Sequence, residues 1–196
     1  MSQNETIFAL SSGPLPAGIA VVRLSGPAAG AALGAMIGSL PPPRRASYRR
    51  VKNGAGAPLD DGLVLWFPGP KTATGEDLAE LHLHGGRAVV AAVLAELGRQ
   101  PGCRPAYAGE FTRRAFEHGR IDLAEAEGLA DLLAAETEAQ RQSALALAEG
   151  GLGRLVDQWE HALLAESARL EALLDFSDEG DVGEVAPKAD GLIALR

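Results

Sequence analysis

Apolar positions along the chain follow two different periods, and the changeover falls close to residue 119. Before it, short apolar or β-branched runs are punctuated by Gly and Pro, which predicts strands joined by turns; after it, apolar residues recur at helical spacing. Thr6–Leu10 is short and apolar, residues 18–24 (GIAVVRL) are rich in β-branched side chains, and residues 63–67 (LVLWF) form an unbroken apolar run. Each reads as a strand. Ser47–Lys52 is expected to pair with the last of them as a hairpin, because Asn53-Gly54 can enter positive φ and the Gly, Ala and Pro that follow lengthen the loop. A helix is predicted over residues 27–37, with Ser25 as its N-cap, Pro27 in its first turn, and Gly38 with Pro41-Pro42-Pro43 as its stop. A fourth strand over 77–84 leads through Gly85-Gly86 into an apolar helix over 88–97, closed by Gly98 as C-cap.

From Asp122 the pattern is helical. Asp122 and Glu125 form a capping box, and helical periodicity continues to about Ala148, where Gly150, Gly151 and Gly153 break it. A second long helix follows, with Leu152, Leu155, Val156, Trp159, Leu163, Leu170 and Leu173 near one face, ending around residues 175–178. The two should form a long helical hairpin. Such a hairpin leaves an apolar face that further helices normally cover, and the acidic tail 179–196 turns apolar just as the chain stops, so the helical part reads as cut short. The expected organisation is α+β over 1–119 and a partial α-helical domain over 120–196.

Charge supports a division into two regions. The net charge of −8 is divided unevenly: through Ile121 there are 13 Lys/Arg against 9 Asp/Glu, and beyond it 5 against 17. The cluster Arg44, Arg45, Arg49, Arg50 and Lys52 could attract phosphate, with a solvated loop as the alternative; Tyr48 is its one interleaved aromatic. No run approaches the ~20 apolar residues of a membrane span, and the N-terminus lacks the basic and apolar regions of a secretory signal. A cytoplasmic protein is expected. The single cysteine, Cys103, reads as a small core filler.

The most informative segment for chemistry is 74–86, TGEDLAELHLHGG. As a strand it places Glu80, His82 and His84 on one face and Ala79, Leu81 and Leu83 on the other. Three readings compete: a metal site, for which a third His nearby, a Cys pair and HExxH are all missing; a solvated or internally hydrogen-bonded face; and a ligand wall. Glu80 favours the last, because a carboxylate amid apolar sequence needs donors, and a pterin-like ring offers adjacent N–H groups. Arg23 is a second charge in an apolar strand and needs an anion, either a ligand or one of Glu76, Asp77 and Glu80. Arg120, after Gly119, could simply end a helix. No GxxxxGK[ST] phosphate loop and no GxSxG elbow is present, so neither GTP hydrolysis nor a catalytic residue is expected within this chain, and no metal site.

Several separated motifs resemble, in order, the tRNA-modifying GTPases of the MnmE (TrmE) family. They are Thr6-Ile7-Phe8-Ala9, Gly18-Ile19-Ala20-Val21-Val22-Arg23-Leu24-Ser25-Gly26, Trp66-Phe67-Pro68-Gly69-Pro70, Thr74-Gly75-Glu76-Asp77 and His84-Gly85-Gly86. Further along come Gly109-Glu110-Phe111-Thr112-Arg113-Arg114-Ala115-Phe116, Gly119-Arg120-Ile121-Asp122-Leu123-Ala124-Glu125-Ala126-Glu127 and Asp175-Phe176-Ser177-Asp178-Glu179. The resemblance implies a first domain with the fold of folate-binding aminomethyltransferases, followed by the start of a helical domain that a GTPase domain interrupts. It implies a homodimer, a bound 5,10-methylene- or 5-formyl-tetrahydrofolate, and, by motif position, folate contacts at Arg23, Glu80 and Arg120. The intact protein would work with the FAD-dependent MnmG (GidA) on carbon 5 of the wobble uridine of tRNA, using GTP, Mg and K through the GTPase domain. Glu80 would read the pterin edge, while Arg23 and Arg120 hold carbonyl or carboxylate groups. Two departures stand out: Ala73 replaces an aromatic often found before Thr-Gly-Glu-Asp, and Pro16 lies in a usually Gly-rich approach to Gly18. A stacking contact on the ligand is then weaker or supplied elsewhere. The alternatives are a stand-alone folate-dependent aminomethyltransferase and a dimerisation module without folate.

Overall fold

The structure is a computed structural model and describes residues 5–175. It divides into two compact units, Met1–Ile121 and Asp122–Arg196.

The first unit is built on one mixed sheet. Its strands are β1 (Thr6–Leu10), β2 (Ala17–Ser25), β3 (Ser47–Lys52), β4 (Pro58–Phe67), β5 (Leu78–Gly85) and β6 (Cys103–Pro105), in the spatial order β3-β4-β5-β2-β1-β6. All pairs are antiparallel except β1 with β6. Helices α1 (Ala29–Ile37) and α2 (Arg87–Leu97) cover one face. Ala20, Val22 and Leu24 of β2, Ala79, Leu81 and Leu83 of β5, and Val64 and Trp66 of β4 meet Leu33 and Met36 of α1 and Val90, Val93 and Leu97 of α2 in one core. The alternation expected for residues 79–84 is therefore the one found, with the polar set turned to the opposite face.

Several local readings are corrected. Ser25 does not cap α1, which starts two residues later than expected. Its hydroxyl donates to Glu76 Oε2 at 2.8 Å and lies 2.6 Å from Thr74 Oγ1, while Thr6 Oγ1 accepts the Ala28 N–H at 2.7 Å. A half-buried carboxylate thus outcompetes a helix terminus for that hydroxyl. In the β3–β4 loop, positive φ falls on Gly56 rather than on Asn53-Gly54; Asn53 instead folds the loop by accepting the Ala55 and Ala57 N–H groups on Oδ1. Gly98 does cap α2, its N–H reaching the Leu94 carbonyl at 3.0 Å, but it is right-handed, at φ −67, and the left-handed turn comes at Gly102, φ 74. Strand β4 begins at Pro58, earlier than its apolar run, because Asp60, Asp61 and Gly62 complete the ladder to β3. At Gly62 a side chain would run into the His82 carbonyl, so the residue that hides the strand in the sequence is the one the sheet requires there.

The second unit comprises α4 (Leu123–Ala134), α5 (Glu138–Ala148) and α6 (Gly151–Asp175), after α3 (Glu110–Glu117) has closed the first. The Asp122–Glu125 capping box is present. The single helix expected up to Ala148 is two, because Thr137 and Gln140 form a second capping box that stops α4 and restarts the chain. The close-packed pair is accordingly α4 with α5, not two long helices: a Cβ on Gly128 would lie 2.5 Å from the Ala148 nitrogen. Gly150, at φ 74, makes the turn, whereas Gly151 and Gly153 lie within α6. Leu155, Val156, Leu163 and Leu170 of α6 are exposed, the uncovered face the pattern anticipated. The tail 179–196 lies outside the described residues. Thr137→Ala removes the cap oxygen and should cost the helical unit about 1 kcal/mol; urea unfolding followed by circular dichroism would show it, and an unchanged midpoint would mean the break is set elsewhere.

Candidate ligand-binding site

Register determines what surrounds Glu80. In the sheet Arg23 of β2 lies opposite Glu80 on one side and Leu65 of β4 on the other. Arg23 donates to Glu80 Oε1 through Nε at 3.0 Å and Nη2 at 2.8 Å, so the anion that this strand arginine needs is internal. The second carboxylate oxygen lies 3.2 Å from His82 Nε2. The Glu80 side chain is 16% exposed, and the Arg23 guanidinium also sits 5.9 Å from the centre of the Phe111 ring. His84 leaves this group: its Nδ1 and backbone N–H meet the two oxygens of Asp60, each at 2.8 Å. Among the described residues no three His, Cys, Asp or Glu side chains gather to hold a metal ion.

Glu80 forms part of the wall of a cavity of about 280 Å³. Phe67 at the end of β4 and Leu78 at the start of β5 supply apolar surface; Lys71, Thr72 and Ala73 come from the intervening loop, and Arg44 and Arg120 complete the lining. The loop is held from both sides. Gly69 N–H donates to Asp77 Oδ1 at 2.8 Å and Thr72 Oγ1 to the Glu76 carbonyl at 2.6 Å. Past the end of α3, the Arg120 N–H reaches the Ala115 carbonyl at 2.8 Å and its Nε the Thr72 carbonyl at 3.0 Å, while His118 Nδ1 lies 2.7 Å from the Thr74 carbonyl. Arg120 therefore does close its helix, and its side chain also crosses to the loop.

Of the residues singled out in the sequence, Glu80 and Arg120 share this cavity, and Arg23 reaches it through Glu80. Phe67, Thr72, Arg44 and Lys71 were not anticipated as a group. Phe67 could be seen as the end of an apolar run, and the basic cluster drew attention to Arg44, but nothing in the sequence brings residue 44 to the 68–77 loop. Two others of that cluster are spent locally: Arg50 pairs with Asp61 at 2.8 Å, and Arg49 donates to the Tyr48 carbonyl.

Behind the loop lies a buried network. The Ser25 proton goes to Glu76, so Thr74 donates its own to Ser25; Arg114 Nη1 meets both Glu76 oxygens at 3.0 Å. Glu110 accepts from Arg104 through both oxygens, at 2.9 and 2.6 Å, and from the Tyr107 N–H at 2.8 Å. The Arg104 guanidinium, followed by that backbone donor, pulls the Glu110 carboxyl down to about 2. Burial pushes the Cys103 thiol up, consistent with an unreactive filler.

Residues 6–120 match the family model described as the GTP-binding protein TrmE N-terminus, and residues 123–194 match that of the MnmE helical domain. The chain belongs to the MnmE (TrmE) family. Among relatives named tRNA modification GTPase MnmE, that of Novosphingobium aromaticivorans is 67% identical over 181 residues, covering 92% of this chain and 41% of the relative. Those of Rhizorhabdus wittichii and Methylorubrum populi are 67% and 61% identical, covering 95% and 98% of this chain and 43% and 42% of their own. The chain thus spans about two fifths of the MnmE relatives it matches, on their N-terminal side of the GTPase domain. No described helix is long and apolar enough to cross a membrane.

Proposed function

We propose that the first unit binds a one-carbon tetrahydrofolate derivative, 5,10-methylene- or 5-formyl-tetrahydrofolate, in the cavity bounded by Glu80, Phe67 and Arg120. The observation that carries this is a mostly buried carboxylate standing in the wall of a cavity that also has aromatic and cationic surface. A carboxylate has about four acceptor positions; Arg23 takes two on Oε1 and His82 one on Oε2, which leaves Oε2 free to accept an N–H of a pterin edge. Phe67 supplies flat apolar surface where Ala73 does not. Arg120 is suited to a carbonyl or carboxylate of the ligand, and Arg23 acts as a positioning residue that fixes Glu80. Bound there, the folate would contribute its one-carbon unit; the chain's own part is to bind, orient and shield it.

In the intact protein we assign this unit to a homodimeric, cytoplasmic GTPase that acts with MnmG on wobble uridine of tRNA, with GTP, Mg and K held by the GTPase domain. The match of residues 123–194 to the helical model favours this over a stand-alone aminomethyltransferase. Calorimetry with 5-formyl-tetrahydrofolate tests the site. Glu80→Ala should weaken binding roughly tenfold to a hundredfold, the value of hydrogen bonds to a charged group; equal affinities would remove Glu80 from it.

A further inference from the structure

At residues 42–45 the residue type and the backbone disagree. Arg45 N–H donates to the Pro42 carbonyl at 3.3 Å, Pro43 takes the second position of the turn, and Arg44 the third with φ 60. Proline followed by a residue at positive φ is the type II pattern, whose third position suits Gly or Asn. Among the described residues Arg44 alone combines positive φ with a side chain, and its Cβ disfavours that conformation. The guanidinium this turn carries is held at the cavity wall. It lies 5.8 Å from the centre of the Phe67 ring and donates to the Lys71 carbonyl.

Arg44 and Lys71 are both exposed, and among the described residues neither meets a carboxylate in an ion pair. The cavity therefore has an inner acidic wall at Glu80 and an outer cationic rim. Its volume of about 280 Å³ lies at the small end for ligand pockets, so it takes a bicyclic ring while the remainder of a folate projects past that rim. The projecting end of a folate is a chain of γ-linked glutamates, and each added unit adds one carboxylate.

We propose that Arg44 and Lys71 bind the carboxylates of this tail, so that the site prefers polyglutamylated over monoglutamylated folates. The proposal rests on the folate reading of the same cavity. It explains why an arginine occupies a turn position made for Gly or Asn: the strained turn presents a charge that neither could supply.

The test is calorimetry on the 196-residue chain with the mono- and triglutamate forms of 5-formyl-tetrahydrofolate at low ionic strength. The triglutamate should bind roughly five- to tenfold tighter, as two exposed ion pairs allow, and the preference should shrink as salt is added. Arg44→Asn, which suits positive φ, combined with Lys71→Gln should abolish the preference, read as the ratio of the two affinities within the same variant, with the melting temperature no lower. Equal affinity of the native chain for both ligands, or a preference that survives in the double variant, overturns the tail-binding rim and leaves the folate reading standing. Binding of neither ligand overturns both.

Discussion

Arg114→Met is expected to lower the stability of the first unit by about 3–5 kcal/mol, the usual loss when one member of a buried ion pair is removed and its partner stays charged. The Arg114 side chain is 6% exposed, and Glu76 and Glu110, the carboxylates it serves, are 12% and 1% exposed. Methionine roughly fills the space of the arginine stem, so the loss reflects charge and hydrogen bonds rather than a void. Glu76 would keep the Ser25 hydroxyl but lose both contacts from Nη1, and the Ser25 carbonyl would lose its 3.4 Å contact with the same nitrogen. Urea unfolding measures the effect, and adding Glu76→Gln should recover part of it, because the stranded charge is then gone. A loss under about 1 kcal/mol in the single variant would mean that water or another cation serves Glu76 equally well. Because Glu76 ends the loop that carries Thr72 and Ala73 to the cavity, the same variant should also weaken ligand binding.

The sheet was legible where a strand is apolar on one face or both. Residues 79–84 show it best: the alternation that hides Ala79, Leu81 and Leu83 also sets Glu80 and His82 apart, so the strand and the candidate site residues come from one pattern. Strand β6 was missed because three residues that pair with one neighbour carry no periodicity of their own. The break between α4 and α5 was missed for a different reason. Thr137 and Gln140 are ordinary polar helix residues until the cap forms, and the apolar spacing on either side does not record the interruption. At the site, Glu80 was one of three carboxylates eligible to pair with Arg23, and strand register, which the sequence does not give, selects it. Arg44 and Lys71 belong to the cavity through a turn and a loop, where contacts depend on backbone path rather than on period, and no spacing rule connects positions 27 residues apart.

Glu110 should make the fold acid-sensitive in a definite window. Its carboxyl is lowered from 4.5 to about 2 in the folded chain, with the Arg104 guanidinium as the leading cause and the Tyr107 N–H contributing. Since the folded value lies below the unfolded one, the unfolded chain takes up a proton first as pH falls. The stabilisation is then complete above about 4.5 and drains away down to about 2. A displacement of that size corresponds to about 3 kcal/mol at neutral pH, and burial of the side chain at 1% exposure keeps solvent from screening it away. Asp61 and Glu138 are also lowered by arginine partners and add to the acid dependence of the native chain, but a change at residue 110 leaves their share in place. Glu110→Gln should therefore cost stability at pH 6, give a flatter fall in urea midpoint between pH 4.5 and 2.5, and converge on the native chain at the acid end. Parallel curves for the two proteins would show that Arg104 and Glu110 separate, or find other partners, before the carboxyl titrates. Arg104 also holds Glu5 at 3.0 Å, next to β1, so a weakened Glu110 pair should loosen the β1–β6 edge first. Hydrogen exchange at pH 3 would then show faster loss of protection at the Thr6 and Ala106 amides, whose acceptors are the Gly102 and Phe8 carbonyls, than in the β2–β5 ladder.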